Sequence, residues 1–197
     1  MLTRTTVIAA SAVAAAALTA VPATAAPAQQ KVTSGSTKVT IAPAVAKALL
    51  TKGIVPLVTR PGQTGLGFAD GRLTLTARFP VTGGRLTTAP LGGTVEHRGG
   101  LKFVNVRAGR ALEVRDFVID LDRGTLTGRV AGTATRVPVF TLDTSTASVG
   151  ADRHRLDARK ISLKLTDTAA GALNSTLKTT VFTAGLGVGT ADTLARY

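Results

Sequence analysis

Residues 110–130 read RALEVRDFVIDLDRGTLTGRV. Leu112 and Val114 hold even positions among polar neighbours, whereas Phe117, Ile119 and Leu121 hold odd ones. Alternation with period two marks a strand with one buried face. The change of parity calls for one extra residue near Arg115-Asp116, a β-bulge that returns the second half of the strand to the same face. Asp122-Arg123-Gly124 then supplies turn residues, and 125–130 (TLTGRV) the next strand.

The same pattern runs outward in both directions. In 72–79 (RLTLTARF), Leu73, Leu75, Ala77 and Phe79 share one face, and Gly83-Gly84 reads as a turn. Residues 92–98 (GGTVEHR) and 101–106 (LKFVNV) flank Gly99-Gly100 and read as a hairpin, with Ala108-Gly109 separating the next strand. Further strands are expected at 136–142 (RVPVFTL) and 153–165 (RHRLDARKISLKL), the second with another parity shift between Ala158 and Ile161. Short strands with turns at this spacing argue for an antiparallel sandwich or barrel. The expectation adopted is a mainly β fold, an antiparallel two-sheet sandwich with two short helices.

The helices are the segments that break the alternation. In 43–53 (PAVAKALLTKG), Pro43 suits a first helical turn, Val45, Ala48 and Leu49 share a face, and Gly53 suits the stop. In 167–177 (DTAAGALNSTL), Ala169, Ala172, Leu173, Thr176 and Leu177 follow helical spacing. Each helix follows a strand and precedes a short apolar, Gly-containing segment. This is either a quasi-repeat, packed symmetrically at opposite sheet edges, or a coincidence.

The N-terminus carries Arg4, an uncharged run over 6–21 (TVIAASAVAAAALTAV), Pro22 and an Ala23-Thr24-Ala25 site. These features predict a secretory signal peptide over 1–25, cleaved between Ala25 and Ala26. The run is shorter and richer in alanine than a membrane span requires. Residues 26–36 (APAQQKVTSGS) read as a flexible lead-in, and 37–197 as a single domain. Export implies an extracellular protein, with retention in the cell wall as a further option and no transmembrane segment after cleavage.

The chain has 24 Lys and Arg, 11 Asp and Glu, and a net charge of +13. Removing the leader, which holds Arg4 and no acid, leaves +12. Nucleic acid is not expected as a partner, because aromatic residues for base stacking make up only 4%. An anionic wall polymer or an envelope protein suits the charge; a solubilising role suits it equally. Arg153, Arg155 and Arg159 read either as a polyanion-binding stripe or as an edge strand guarded by charge. There is no cysteine, so no disulfide framework and no thiolate site.

Catalytic chemistry finds no footing. No G-x-S-x-G elbow occurs, and Glu96 and His97, adjacent on a strand, face opposite ways. No metal site is expected from two distant histidines, His97 and His154. Asp116, Asp120 and Asp122 read as a shallow calcium site or as a solvated strand face paired with Arg115 and Arg123. Asn174-Ser175-Thr176 matches a glycosylation acceptor within a helical segment. The expectation is therefore no enzyme.

The motifs GGTVEHRGGLKF, LEVRDFVIDLDRGTLTGRV and VPVFTLD within 92–143, with TTVFTAGLGVGTAD near the C-terminus, resemble the HtaA-type domain of actinobacterial secreted and wall-exposed haem-uptake proteins. The resemblance implies two β-sheets with short flanking helices. It also implies haem held by a tyrosine and supported by a histidine, for which His97 is the matching position. The tyrosine is expected near the first helix, and 37–60 contains none. Phe182 stands where the family often has an aromatic residue, and phenylalanine does not ligate iron. The sequence thus leads to a secreted, non-enzymatic, HtaA-like binding module of unknown ligand, with His97, Arg98 and Phe182 as ligand-binding candidates and no cofactor expected. The alternatives are a haem-binding protein and a structural wall component held to anionic polymers by charge.

Overall fold

Residues 28–69 and 71–197 are described by a computed structural model; the expected signal peptide and the expected cleavage site at Ala25 and Ala26 lie outside the described residues. The elements in chain order are β1 (Gln30–Lys31), β2 (Ser34–Ile41), α1 (Pro43–Thr51), β3 (Ile54–Thr59), β4 (Gln63–Ala69), β5 (Arg72–Thr88), β6 (Leu91–His97) and β7 (Gly100–Asn105). They continue as β8 (Arg110–Asp120), β9 (Thr125–Val130), β10 (Arg136–Asp143), β11 (Ser148–Ala151), β12 (Arg155–Leu165), α2 (Asp167–Leu177) and β13 (Gly187–Arg196). Both helices fall where their spacing places them. β1 and the first residues of β2 occupy the stretch read as a lead-in, with Val32 fully buried between them.

The expected two-sheet sandwich is replaced by a closed barrel. Eight strands pair antiparallel in the circuit β5-β2-β13-β12-β10-β9-β8-β6 and back to β5. β6 is the seam, since Gly83–Thr88 of β5 pair along one of its edges and Val118–Asp120 of β8 along the other. Alternating apolar residues describe a barrel wall and a sandwich sheet equally well, so closure is invisible in the pattern.

Two local expectations hid the seam. Gly83-Gly84 is not a turn. It lies within the 17-residue strand β5, where a register shift between Val81 and Gly83 bends the strand towards β6. Gly99-Gly100 is not a hairpin either. β6 and β7 run on in the same direction, and both pair with β8 on either side of a bend at Gly99 (φ +96°). The two expected bulges are present. Pairing shifts between Arg115 and Val118, and between Ala158 and Ile161, with Asp116 and Lys160 in left-handed backbone. The first marks the place where β8 leaves β7 and joins β6.

The barrel is filled by inward side chains such as Val39, Phe79, Phe117, Ile119, Leu126 and Phe140, with Phe79 and Phe117 edge-to-face at 5.4 Å. Val45 and Leu49 of α1 and Leu173 of α2 line one apolar cavity, so both helices cover the same part of the core. α2 is capped by the Thr166 hydroxyl, which accepts from the Ala169 amide at 3.1 Å. The quasi-repeat does not extend to topology: β13 returns from α2 to pair with β12, whereas β3 returns from α1 to pair with β7. Among the described residues no helix is long and apolar enough to cross a membrane.

Candidate functional site

His97 ends β6 inside the barrel and is buried. Its Nδ1 lies 3.3 Å from the Phe117 carbonyl oxygen and its Nε2 lies 2.7 Å from the Thr37 hydroxyl. A carbonyl only accepts, so Nδ1 carries the proton and Nε2 accepts from Thr37. The Thr37 oxygen in turn accepts from the Thr193 hydroxyl at 2.9 Å. Around the ring stand Val39, Phe79, Leu101, Ile119, Leu126 and Phe140, none of them charged. Burial without a carboxylate partner pushes the imidazole down to about 4. His97 is thus a neutral, fully hydrogen-bonded group tying β6 to β2, β8 and β13.

Phe182 also points inward, but into a different space. It is buried in the segment between α2 and β13 and meets Phe103 edge-on at 5.9 Å. The cavity it lines, with Phe103, Leu112, Val114, Leu173 and Val188, is wholly apolar and holds about 40 Å³. That volume takes a water or two and no organic ligand, so the cavity belongs to the core. Asn174 places Phe182 there: its Nδ2 donates to the Phe182 carbonyl at 2.7 Å, and its Oδ1 accepts from the Phe182 amide at 3.2 Å. The acceptor motif at 174–176 therefore spends its amide inside the fold. Asn174→Ala is expected to lower stability by about 2 kcal/mol, through two lost hydrogen bonds to a part-buried peptide, as read by urea unfolding.

The structure keeps the remaining candidates apart. Arg98 is exposed at the bend after β6, on the opposite side of the wall from His97. Arg153 lies in the turn before β12. Arg155 and Arg159 project outward from β12, yet Arg155 lies 3.6 Å from Asp152 and Arg159 grips Asp157 with two bonds of 2.9 and 3.0 Å. The Arg159 guanidinium holds the Asp157 carboxyl below its ordinary range. A stripe interleaved with its own counter-ions presents little free charge. Two of the three acids at 116–122 are likewise engaged: Asp120 pairs with Arg123 at 2.8 Å, and Asp122, in the turn after β8, accepts from the Gly93 amide. Among the described residues no group of acids and histidines converges on a metal.

One open concavity combines apolar walls with free charge. A cleft of about 690 Å³ runs between α1 and the tip of β5, lined by Pro43, Ala44, Ala48, Leu73 and Val181 and rimmed by Lys47, Lys52 and Arg72. Its volume is that of an ordinary ligand site. The β4–β5 hairpin extends it. Phe68 opposes Leu73 and Leu66 opposes Leu75 across the strands, so all four side chains share a face. Phe68 is 75% exposed, Leu66 69% and Leu73 58%. No strand is expected from sequence at 63–69 (QTGLGFA). The signal was there in Leu66 and Phe68 alternating with Gly65 and Gly67, before the turn residues Asp70-Gly71.

No family model and no curated protein matches the chain. Solved structures do. The C-terminal domain of HtaA from Corynebacterium glutamicum superposes with a TM-score of 0.62 at 14% identity, over 84% of this chain and 98% of that one. The chain has the HtaA fold. A His-to-Ala variant of the same HtaA domain, crystallised as a domain-swapped dimer, matches with a TM-score of 0.53 at 14% identity, over 78% and 90% of the two chains. The resemblance read from residues 92–143 is thereby a resemblance of architecture, in a divergent chain.

Iron coordination of the kind that resemblance implies does not fit these residues. Both ring nitrogens of His97 are occupied, and Tyr197 donates its hydroxyl to the Asp152 carbonyl at 2.6 Å. The cleft between α1 and β5 is lined by no histidine, tyrosine, methionine or cysteine.

Proposed function

We propose that this protein is a secreted, non-enzymatic binding module of the cell envelope that takes an apolar ligand bearing acidic groups in the cleft between α1 and the β4–β5 hairpin. The observation that carries this reading is the exposed face of Leu66, Phe68 and Leu73, continuous with a cleft whose rim is basic. An apolar face left in water marks a binding surface. Lys47, Lys52 and Arg72 orient the acidic end of the ligand, and the aromatic and aliphatic groups receive its body. The leader and the +13 charge support action outside the cell, near anionic envelope components.

Metal-free protoporphyrin, a flat apolar dicarboxylate, is a suitable probe beside haemin. The two are expected to bind with equal affinity, read by fluorescence quenching and by absorbance, because the cleft lining offers the iron no histidine or tyrosine. Phe68→Ser with Leu73→Ser is expected to weaken both about tenfold or more, through loss of about 1.5 kcal/mol or more of apolar contact. Haemin binding far more tightly than the metal-free ring, or full affinity in the double variant, would contradict the proposal.

A further inference from the structure

The outer wall of the barrel holds a second feature, away from the cleft. Arg115 of β8 stands directly opposite Arg129 of β9, and Arg129 directly opposite Arg136 of β10. Their inward neighbours Val114, Val130 and Val137 line the core cavity, so the three arginines project outward. Three guanidinium groups thus form a row across three adjacent strands, at a spacing of about 4.8 Å per strand. Like charges directly opposite one another on a sheet destabilise it.

Intramolecular counter-ions do not relieve the row. Among the described residues Arg129 and Arg136 make no ion pair, and Arg136 Nη1 turns to the Asp116 carbonyl at 2.8 Å. Glu113 lies 3.9 Å from Arg115 Nε, beyond hydrogen-bond distance, and faces Lys102 across the strands, and the neighbouring Asp116 carboxylate makes no ion pair among the described residues.

The row also contains unmet hydrogen-bonding groups. The two buried side-chain polar atoms without a partner among the described residues are Arg115 Nε and Thr59 Oγ1. Both lie in this row: Thr59 of β3 opposes Gly100 of β7, and Gly100 opposes Arg115. A Cβ on Gly100 would meet the Arg115 Cβ at 2.7 Å and the Thr59 hydroxyl at 2.9 Å, so the two side chains close over the bare glycine. Both atoms are closed off from solvent and hold the inner end of the row in place, while the outer end of the Arg115 side chain, 42% exposed overall, stays open beside Arg129 and Arg136.

We infer that the row Arg115, Arg129 and Arg136 is a binding site for a linear phosphate-bearing polymer. A guanidinium fork matches two phosphate oxygens, and a row of forks matches successive phosphates along a chain. No aromatic ring stands in the row to stack a base, so the anionic backbone is the recognised group. The site differs from the Arg155–Arg159 stripe, where Arg159 is hydrogen-bonded to Asp157 and Arg155 lies 3.6 Å from Asp152. It also stands independently of the cleft.

The test is equilibrium binding of a short linear polyphosphate to the purified protein, with inorganic phosphate and polyglutamate as companion probes. Polyphosphate is expected to bind more tightly than either companion, with log Kd rising against log salt at a slope of about 2 for three contacts. Arg129→Gln with Arg136→Gln is expected to weaken binding at least tenfold, while Arg155→Gln with Arg159→Gln leaves it unchanged. Arg129→Gln alone relieves a like-charge contact and is expected to raise the thermal midpoint, which keeps a folded variant available. Failure to bind polyphosphate, unchanged affinity in the Arg129 and Arg136 variants, or equal losses in both double variants would overturn the inference. Equal binding of inorganic phosphate or of polyglutamate would overturn the phosphate-polymer assignment.

Discussion

Gly93→Ala is expected to cost about 4 kcal/mol or more and to open the barrel. Gly93 sits in β6 opposite Leu86 of β5, with φ at +99°, a conformation that side-chain-bearing residues rarely adopt. A Cβ there would overlap the Arg85 carbonyl oxygen, which is backbone and has no rotamer to yield. Left-handed strain contributes about 1 to 3 kcal/mol, and forced displacement of a packed strand a similar amount. Gly109 provides the control, because its φ is +61° but nothing lies within 4 Å of its would-be Cβ. Gly109→Ala should therefore show the backbone cost alone, about 1 to 2 kcal/mol. Urea unfolding of the two variants separates the terms, and equal losses would show that the β5–β6 seam is looser than described.

Acid should destabilise the fold through His97, and the sign follows from its burial. The ring titrates near 6.5 when exposed and near 4 in the folded state. Above pH 6.5 it is neutral in both states and has no effect on the balance. Between pH 6.5 and 4 the unfolded chain takes up the proton first, so stability falls as pH falls. The loss totals roughly 3 kcal/mol and is complete below pH 4. Below that, Asp120, Asp152 and Asp157, each held under the ordinary carboxylate range by hydrogen bonds, add their own acid lability. His97→Gln keeps a group able to bond Thr37 and removes the titration. Its urea midpoint is expected to be flat between pH 6.5 and 4.5, where the wild type declines. An equal decline in the variant would place the acid response elsewhere.

The strands from β5 to β10 and β12, the helices and both bulges are legible because each is a local property. Alternation fixes which side chains face inward, and the parity change at Arg115-Asp116 records a one-residue insertion. Closure could not be read, because it depends on β6 pairing with two strands at once. The glycines that permit this carry the same residues as hairpin loops: Gly83-Gly84 lies within the continuous strand β5, and Gly99-Gly100 bends the chain between β6 and β7. His97 is legible as a distinctive residue, yet its partner Thr37, and Thr193 which bonds Thr37 in turn, come from strands 60 and 96 residues away, at opposite ends of the chain. Phe68 and Leu73 face each other across a hairpin, and their exposure is a property of the barrel edge rather than of their neighbours in sequence. The arginine row is a matter of register: Arg115, Arg129 and Arg136 look scattered along the chain and become adjacent only through pairing.

The central functional claim is that ligand enters between α1 and the β4–β5 hairpin, and that His97 holds the barrel together without touching it. Amide chemical-shift mapping during titration with metal-free protoporphyrin tests this most directly. The account predicts shifts concentrated at 43–52, 66–75 and 179–183, with the amides of Thr37, His97 and Thr193 unmoved. Shifts centred on His97 and its threonine partners, or none at all at saturating probe, would contradict it.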